Sequence, residues 1–114
     1  MGREELIAAL EAATGPSREL DEAIDQLAFE NQWRTERFMT PDRTPAYTSS
    51  LDDALTLVPE GWCPLIGQNV HHRHWSCLVQ RVTDSGDIDS RHNNAPTPAI
   101  ALCIAAIKAR GEPV

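Results

Sequence analysis

Lysine is nearly absent: of the ten basic residues in this 114-residue chain only Lys108 is a lysine, against seventeen acids and a net charge of −7. A chain of that sign has no general grip on phosphate backbones or anionic membranes, whose binding draws on clustered cations and counterion release. Long apolar runs are also missing. Nothing approaches the roughly 20 apolar residues of a membrane span, and Met1 to Glu5 lacks the basic-then-apolar order of a secretory leader, so a cytoplasmic location is expected. The three cysteines, at 63, 77 and 103, form no CxxC pair, and their odd number argues against a disulfide framework. Gly61, Gly67 and Gly86 are too scattered for a phosphate-cradling loop, and Ser49-Ser50 has no GxSxG context. There is no internal repeat and no low-complexity tract.

What remains is an ordinary domain-sized chain, 41% apolar and 24% charged, long enough to bury a core without a metal or disulfide staple. Its charge is uneven. Residues 1–60 hold thirteen acids and five bases, whereas residues 61–114 hold four acids, five bases and all four histidines. The acidic half favours solubility or a basic partner.

Between Arg3 and Thr14, Leu6, Ile7, Leu10 and Ala13 recur at helical spacing, and Gly15-Pro16 ends the run. Ser17 caps a second helix to about Phe29, with Glu19, Asp21 and Glu22 near its positive end and a stripe of Leu20, Ala23, Ile24 and Leu27. From Asn31 to Tyr47 the periodicity fails; Pro41 and Pro45 mark a loop or linker, with Trp33 and Phe38 expected to tack it down. Ser50 and Asp53 form a variant capping box before Leu51, Ala54, Leu55 and Val58, a short helix stopped by Pro59.

The period then changes to two. Trp62 to Ile66 predicts a short strand that Pro64 confines to an edge or bulge, Gly67-Gln68-Asn69 a hairpin turn, and Val70 to Val82 a longer strand. In that strand Trp75, Cys77 and Val79 share one face, and His72, His74, Ser76 and Gln80 the other. A turn around Ser85-Gly86 leads to a third strand over Ile88 to Arg91. Thr97 as N-cap, Pro98 at the first position, Lys108 and Arg110 in the last turn, and Gly111 and Pro113 beyond define a final helix. Being apolar nearly all round, that helix is expected to be the most buried. The fold class is therefore α+β: N-terminal helices, then a helix, a three-stranded antiparallel sheet and a buried C-terminal helix. The expected division is a helical segment over 1–30, a loop or linker over 31–47, and an αβββα core over 48–112.

Two stretches, Tyr47 to Trp62 (YTSSLDDALTLVPEGW) and Ala95 to Ala106 (APTPAIALCIAA), resemble the small phage and prophage proteins of the phage ABA sandwich domain family. The resemblance covers roughly residues 45 to 110, and the segment from Leu6 to Leu27 is similar to the helical lead-in of those proteins. It implies a phage origin and an α/β sandwich. The matching positions are mostly caps and core, so it transfers no catalytic site. The histidine-rich stretch between Gln68 and His74 departs from the pattern, where Arg, Trp and aliphatic residues are expected.

His71-His72-Arg73-His74 is the strongest chemical signal. Neutral imidazoles ligate zinc, copper or nickel, and alternate strand residues share a face, so His72 and His74 can grip one ion. A third ligand is lacking. A turn at Ser85-Gly86 sets His92 opposite Val79, roughly 16 to 23 Å from His74 and His72 at about 3.3 Å per residue, which leaves Cys63 or another chain to complete a site. No metal or cofactor is assigned, and the histidines are read as a wet strand face or a pH-dependent contact surface. No catalytic residue is assigned either. Cys77 points away from His74, Cys103 is core, and Cys63, within reach only of His71 or Trp75 across the turn, is read as a small buried residue. Asp52-Asp53 and Asp87 with Asp89 are read as a helix start and a turn.

The αβββα order is also that of double-stranded RNA-binding domains, but the lysines with which those grip phosphate are replaced by Asn93-Asn94-Ala95-Pro96-Thr97-Pro98. Trp62 and Trp75 are read as core. The expected function is that of a non-enzymatic phage or prophage accessory protein that binds a host or phage protein; inhibition of a bacterial defence system is one form of this. The alternatives are a small metal-dependent hydrolase built on the His71-His74 cluster and an RNA-binding module. No nucleic acid or membrane partner is expected, and self-association is left open. The contact residues are expected to be His71, His72, Arg73 and His74, in preference to the acidic helix with Glu19, Glu22, Asp25 and Glu30.

Overall fold

The computed structural model describes residues 2–31, 45–69 and 74–110. Helix α1 spans Arg3–Ala12, α2 Arg18–Glu30, α3 Leu51–Leu55 and α4 Pro98–Arg110; strands β1 (Cys63–Asn69), β2 (His74–Val82) and β3 (Ile88–Ala95) form one antiparallel sheet in the order β1-β2-β3. This is the α+β arrangement expected. Most of the expected linker, with Trp33 and Phe38, lies outside the described residues, as do Gly111 and Pro113. No described helix is long and apolar enough to cross a membrane.

The expected caps form. Ser17 Oγ accepts from Leu20 N at 3.4 Å, Ser50 Oγ from Asp53 N at 3.3 Å, and Thr97 Oγ1 from Ile100 N at 3.2 Å, each satisfying one N–H that a helix start leaves orphaned. Helix α3 is shorter than expected: it ends at Leu55, and Thr56 to Val58 continue only as turns. Thr56 Oγ1 accounts for part of this, since it bonds back to Asp53 O at 2.6 Å and competes with the helical ladder.

The sheet corrects three expectations. Gly67-Gln68-Asn69 is not a turn but the end of β1, paired with Ser76, Trp75 and His74. The second hairpin closes through Thr83 to Asp87, with Thr83 N bonded to Asp87 O at 2.8 Å and Gly86 at φ +90, a conformation costly for any residue with a Cβ. Its register sets Val79 opposite Arg91 and Leu78 opposite His92, one residue from the expected pairing. Strand β3 also runs on to Ala95, so Asn93 and Asn94 belong to it and do not lead into α4. Asn93 Nδ2 instead donates to Ala101 O at 3.0 Å, fastening the strand to the helix.

Helix α4 explains why its sequence is apolar on every side. It packs on β2, β3 and β1 with one face and on α1 and α3 with others, so every residue from Ala99 to Ile107 is buried. Leu6, Leu10 and Ile24 of the N-terminal helices join the same core as Cys77, Val79 and Ile104. Arg3 of α1 donates to Ile107 O and Lys108 O, both at 3.4 Å, meeting carbonyls that the last turn of α4 leaves free.

A polar clamp joins α2 to the segment before α3. Asp21, 1% exposed, accepts from both Thr48 N and Thr48 Oγ1 at 2.7 Å, and Ser17 N donates to Thr48 Oγ1 at 2.9 Å. Asp53 similarly accepts from Ala46 N at 2.9 Å. Asp25, named with Glu19, Glu22 and Glu30 in the acidic helix, is only 7% exposed.

Candidate functional site

The two faces of the sheet are opposites of the usual kind. Alternation along the strands sends Trp75, Cys77 and Val79 of β2, with Asn93 and Ala95 of β3, toward α4. The face turned away from α4 carries Cys63, Leu65 and Gly67 of β1, Ser76, Leu78, Gln80 and Val82 of β2, and Ile88, Ser90, His92 and Asn94 of β3. None of these eleven is Asp, Glu, Lys or Arg, in a chain where 24% of residues are charged. Leu65 is 50% exposed, Val82 72% and Ile88 70%. Cross-strand pairing sets Leu65 beside Leu78 and Val82 beside Ile88, so two apolar pairs stand on an otherwise neutral polar field. A shallow pocket lined by Gly61, Cys63, Gln80, Arg81, Val82 and Ile88 lies at the Val82 end.

The charges of the sheet lie on the α4 side instead, near its end. Asp89 bridges Arg91 at 2.5 Å and Arg81 at 3.4 Å, and the two guanidiniums lie 5.8 and 4.8 Å from the Trp62 ring centroid. The hydrogen bond from Arg91 foremost, with Arg81 assisting, holds the Asp89 carboxyl below its ordinary pKa. Arg110, at the end of α4, donates to Leu57 O, and burial lowers its pKa. These groups finish the end of the fold where Trp62 packs against the core.

Of the expected contact residues, His71, His72 and Arg73 lie outside the described residues; His74 opens β2, its backbone paired with Asn69. Cys63 is exposed, not buried as expected, and pairs with Gln80 at the far end of the β1–β2 ladder. Six residues separate that end from the Asn69–His74 end, roughly 20 Å at about 3.3 Å per residue. Cys63 therefore reaches neither Trp75 nor a site holding His74. His92 is exposed and opposite Leu78, four residues along from His74, about 13 Å away. Among the described residues no three His, Cys, Asp or Glu side chains gather as a metal would require.

The other thiols serve the core. Cys77 is fully buried, which pushes its pKa up to about 11; Cys103 is fully buried, its pKa raised by burial first and by nearby Asp21 and Cys77 second, and its S–H donates to Tyr47 O at 3.2 Å. Neither is a nucleophile at neutral pH. Sequence reasoning found the wet face of β2 but missed Leu65, Val82 and Ile88 as one surface. The signal was present as an absence of charge at alternate positions, visible only once the register is known. No protein family, curated protein or solved structure matches this chain.

Proposed function

We propose that this protein is non-enzymatic and works by contact with another protein, in the manner of a phage or prophage accessory protein; blocking a bacterial defence system is one such role. The observation that carries this reading is the exposed sheet face, uncharged at all eleven positions and bearing Leu65, Val82 and Ile88 in the open. Leu65–Leu78 and Val82–Ile88 stand as two apolar pairs on one uncharged face, and exposed apolar residues gathered on one face of a small protein mark contact sites more often than scattered single ones do. The motifs that resemble the phage ABA sandwich family support the phage setting. Two of the three thiols, and the carboxylates of Asp21, Asp53 and Asp89, are already engaged in holding the fold together. His71, His72 and Arg73, which precede His74 in the sequence, and His74 itself remain part of the proposed contact.

Affinity capture from lysate of a phage-infected bacterial host, run in parallel with wild type and with a Leu65→Glu/Ile88→Glu variant, tests the reading. A protein held by wild type and released by the variant is the expected result. Identical retention by both rules out this face as the contact. The RNA-binding reading is tested alongside: duplex RNA at physiological salt is expected not to shift at micromolar protein, since the last helix carries no cation before Lys108.

A further inference from the structure

We infer that the uncharged sheet face docks on the same face of a second copy of this chain, forming a two-fold dimer with the sheets stacked at its centre and both α4 helices outside. The inference rests on reading this face as a contact surface and names a second copy as its occupant when no host or phage protein is bound there. Charge selects that occupant. A basic partner steered by the net charge of −7 meets Glu19, Glu22 and Glu30 on exposed positions of α2, and finds no counter-charge at the eleven described strand positions of the open face. An acidic partner is repelled on approach and gains no ion pair on arrival. The fitting surface is one that is itself neutral, shaped as a twisted sheet and studded with a few aliphatic side chains between short polar ones. A second copy supplies such a surface, and a two-fold contact needs only self-complementarity. Sheets stack face to face about 10 Å apart through side chains of this kind.

Area sets the strength. Three strands about 4.8 Å apart and eight or so residues long present roughly 350 Å² in projection, about half the ~800 Å² per partner of a standard interface. The dimer is therefore a weak, transient one. Its salt dependence has a distinctive sign. Two copies at −7 each repel one another, while the eleven described strand positions of the face offer no ion pair to be screened; added salt removes the repulsion and leaves their contact intact. Association tightens with ionic strength, opposite to a contact built on Arg–carboxylate pairs.

Sedimentation equilibrium of the full chain under reducing conditions, from 5 to 500 µM and at about 20 and 300 mM NaCl, tests this. Wild type is expected to show a monomer–dimer equilibrium at least three-fold tighter at the higher salt. Leu65→Glu/Ile88→Glu is expected to weaken it at least ten-fold while Glu22→Gln does not. A monomer at every concentration, a dimer that survives the double variant, or one that loosens with salt overturns the inference. Circular dichroism of the double variant guards against misreading. An unchanged melting curve is expected of positions already half or more exposed, whereas a collapse means that another part of the same chain covers the face, which also overturns it. A monomeric wild type whose double variant still loses a captured host protein refutes the dimer alone and leaves the contact reading standing.

Discussion

Asp21 holds Thr48 twice: one carboxylate oxygen accepts the Thr48 backbone N–H and hydroxyl, both at 2.7 Å, across 27 positions of chain. Both partners are buried, so α2 is fastened to the approach to α3 by charge-assisted hydrogen bonds in a place without competing water. Asp21→Ala leaves the buried Thr48 N–H short of an acceptor, while the hydroxyl keeps Ser17 O at 3.1 Å, and is expected to cost about 1–3 kcal/mol. Thr48→Val, which keeps the backbone bond, is expected to cost about 1–2 kcal/mol. Urea denaturation of both single variants and the double variant checks this, and the double variant is expected to fall short of the additive loss.

The two sides of the sheet are expected to tolerate substitution very differently. Ile104→Ala removes a fully buried side chain from α4 and is expected to cost about 2–5 kcal/mol. Ile88→Thr, at a position 70% exposed, is expected to stay within about 0.5 kcal/mol of wild type. Equal losses in chemical denaturation would mean that Ile88 belongs to a core.

Thiol chemistry separates the three cysteines. Cys63 is exposed, whereas Cys77 and Cys103 are buried with raised pKa values. An aromatic disulfide reagent at pH 8 is expected to titrate one thiol in the folded protein and three in denaturant, and Cys63→Ser to abolish the native reaction.

Legibility in the sequence followed the range of the interaction. Helix α4 could be read because its signals are local: Thr97 caps it, Pro98 starts it, and an apolar run with no polar stripe has to be buried on all sides. The end of β1 was misread because Gly67 suits a turn and a strand equally; here it lies against Ser76, whose Oγ donates to Gly67 O at 3.4 Å. Burial of Asp21 depends on Thr48, far along the chain, although its place four residues before Asp25 and three before Ile24 does set all three on one side of α2. The open face required both hairpin registers, and a one-residue error in either exchanges the faces of its pairing.

Acid stability carries the signature of Asp89. Its carboxyl titrates below the ordinary value of 3.8 because Arg91 and Arg81 hold the ionised form. The sign follows: a depressed folded-state pKa gives stability that is fully present well above 3.8 and is lost as pH falls through 3.8 to the folded value below it. The gap between wild type and Asp89→Asn is expected to be constant from pH 5 to 7 and to close below pH 4. Urea midpoints measured across that range check it.

The central claim is that this protein works through the uncharged face of its sheet. Site-specific photo-crosslinking tests it most directly, with a benzophenone side chain placed at Leu65 in one variant and at Glu22 of α2 in another, each irradiated in infected host cells. The account predicts a discrete cross-linked species from position 65, whether with a second copy or with another protein, and none from position 22. Cross-links from position 22 with none from position 65 would contradict it.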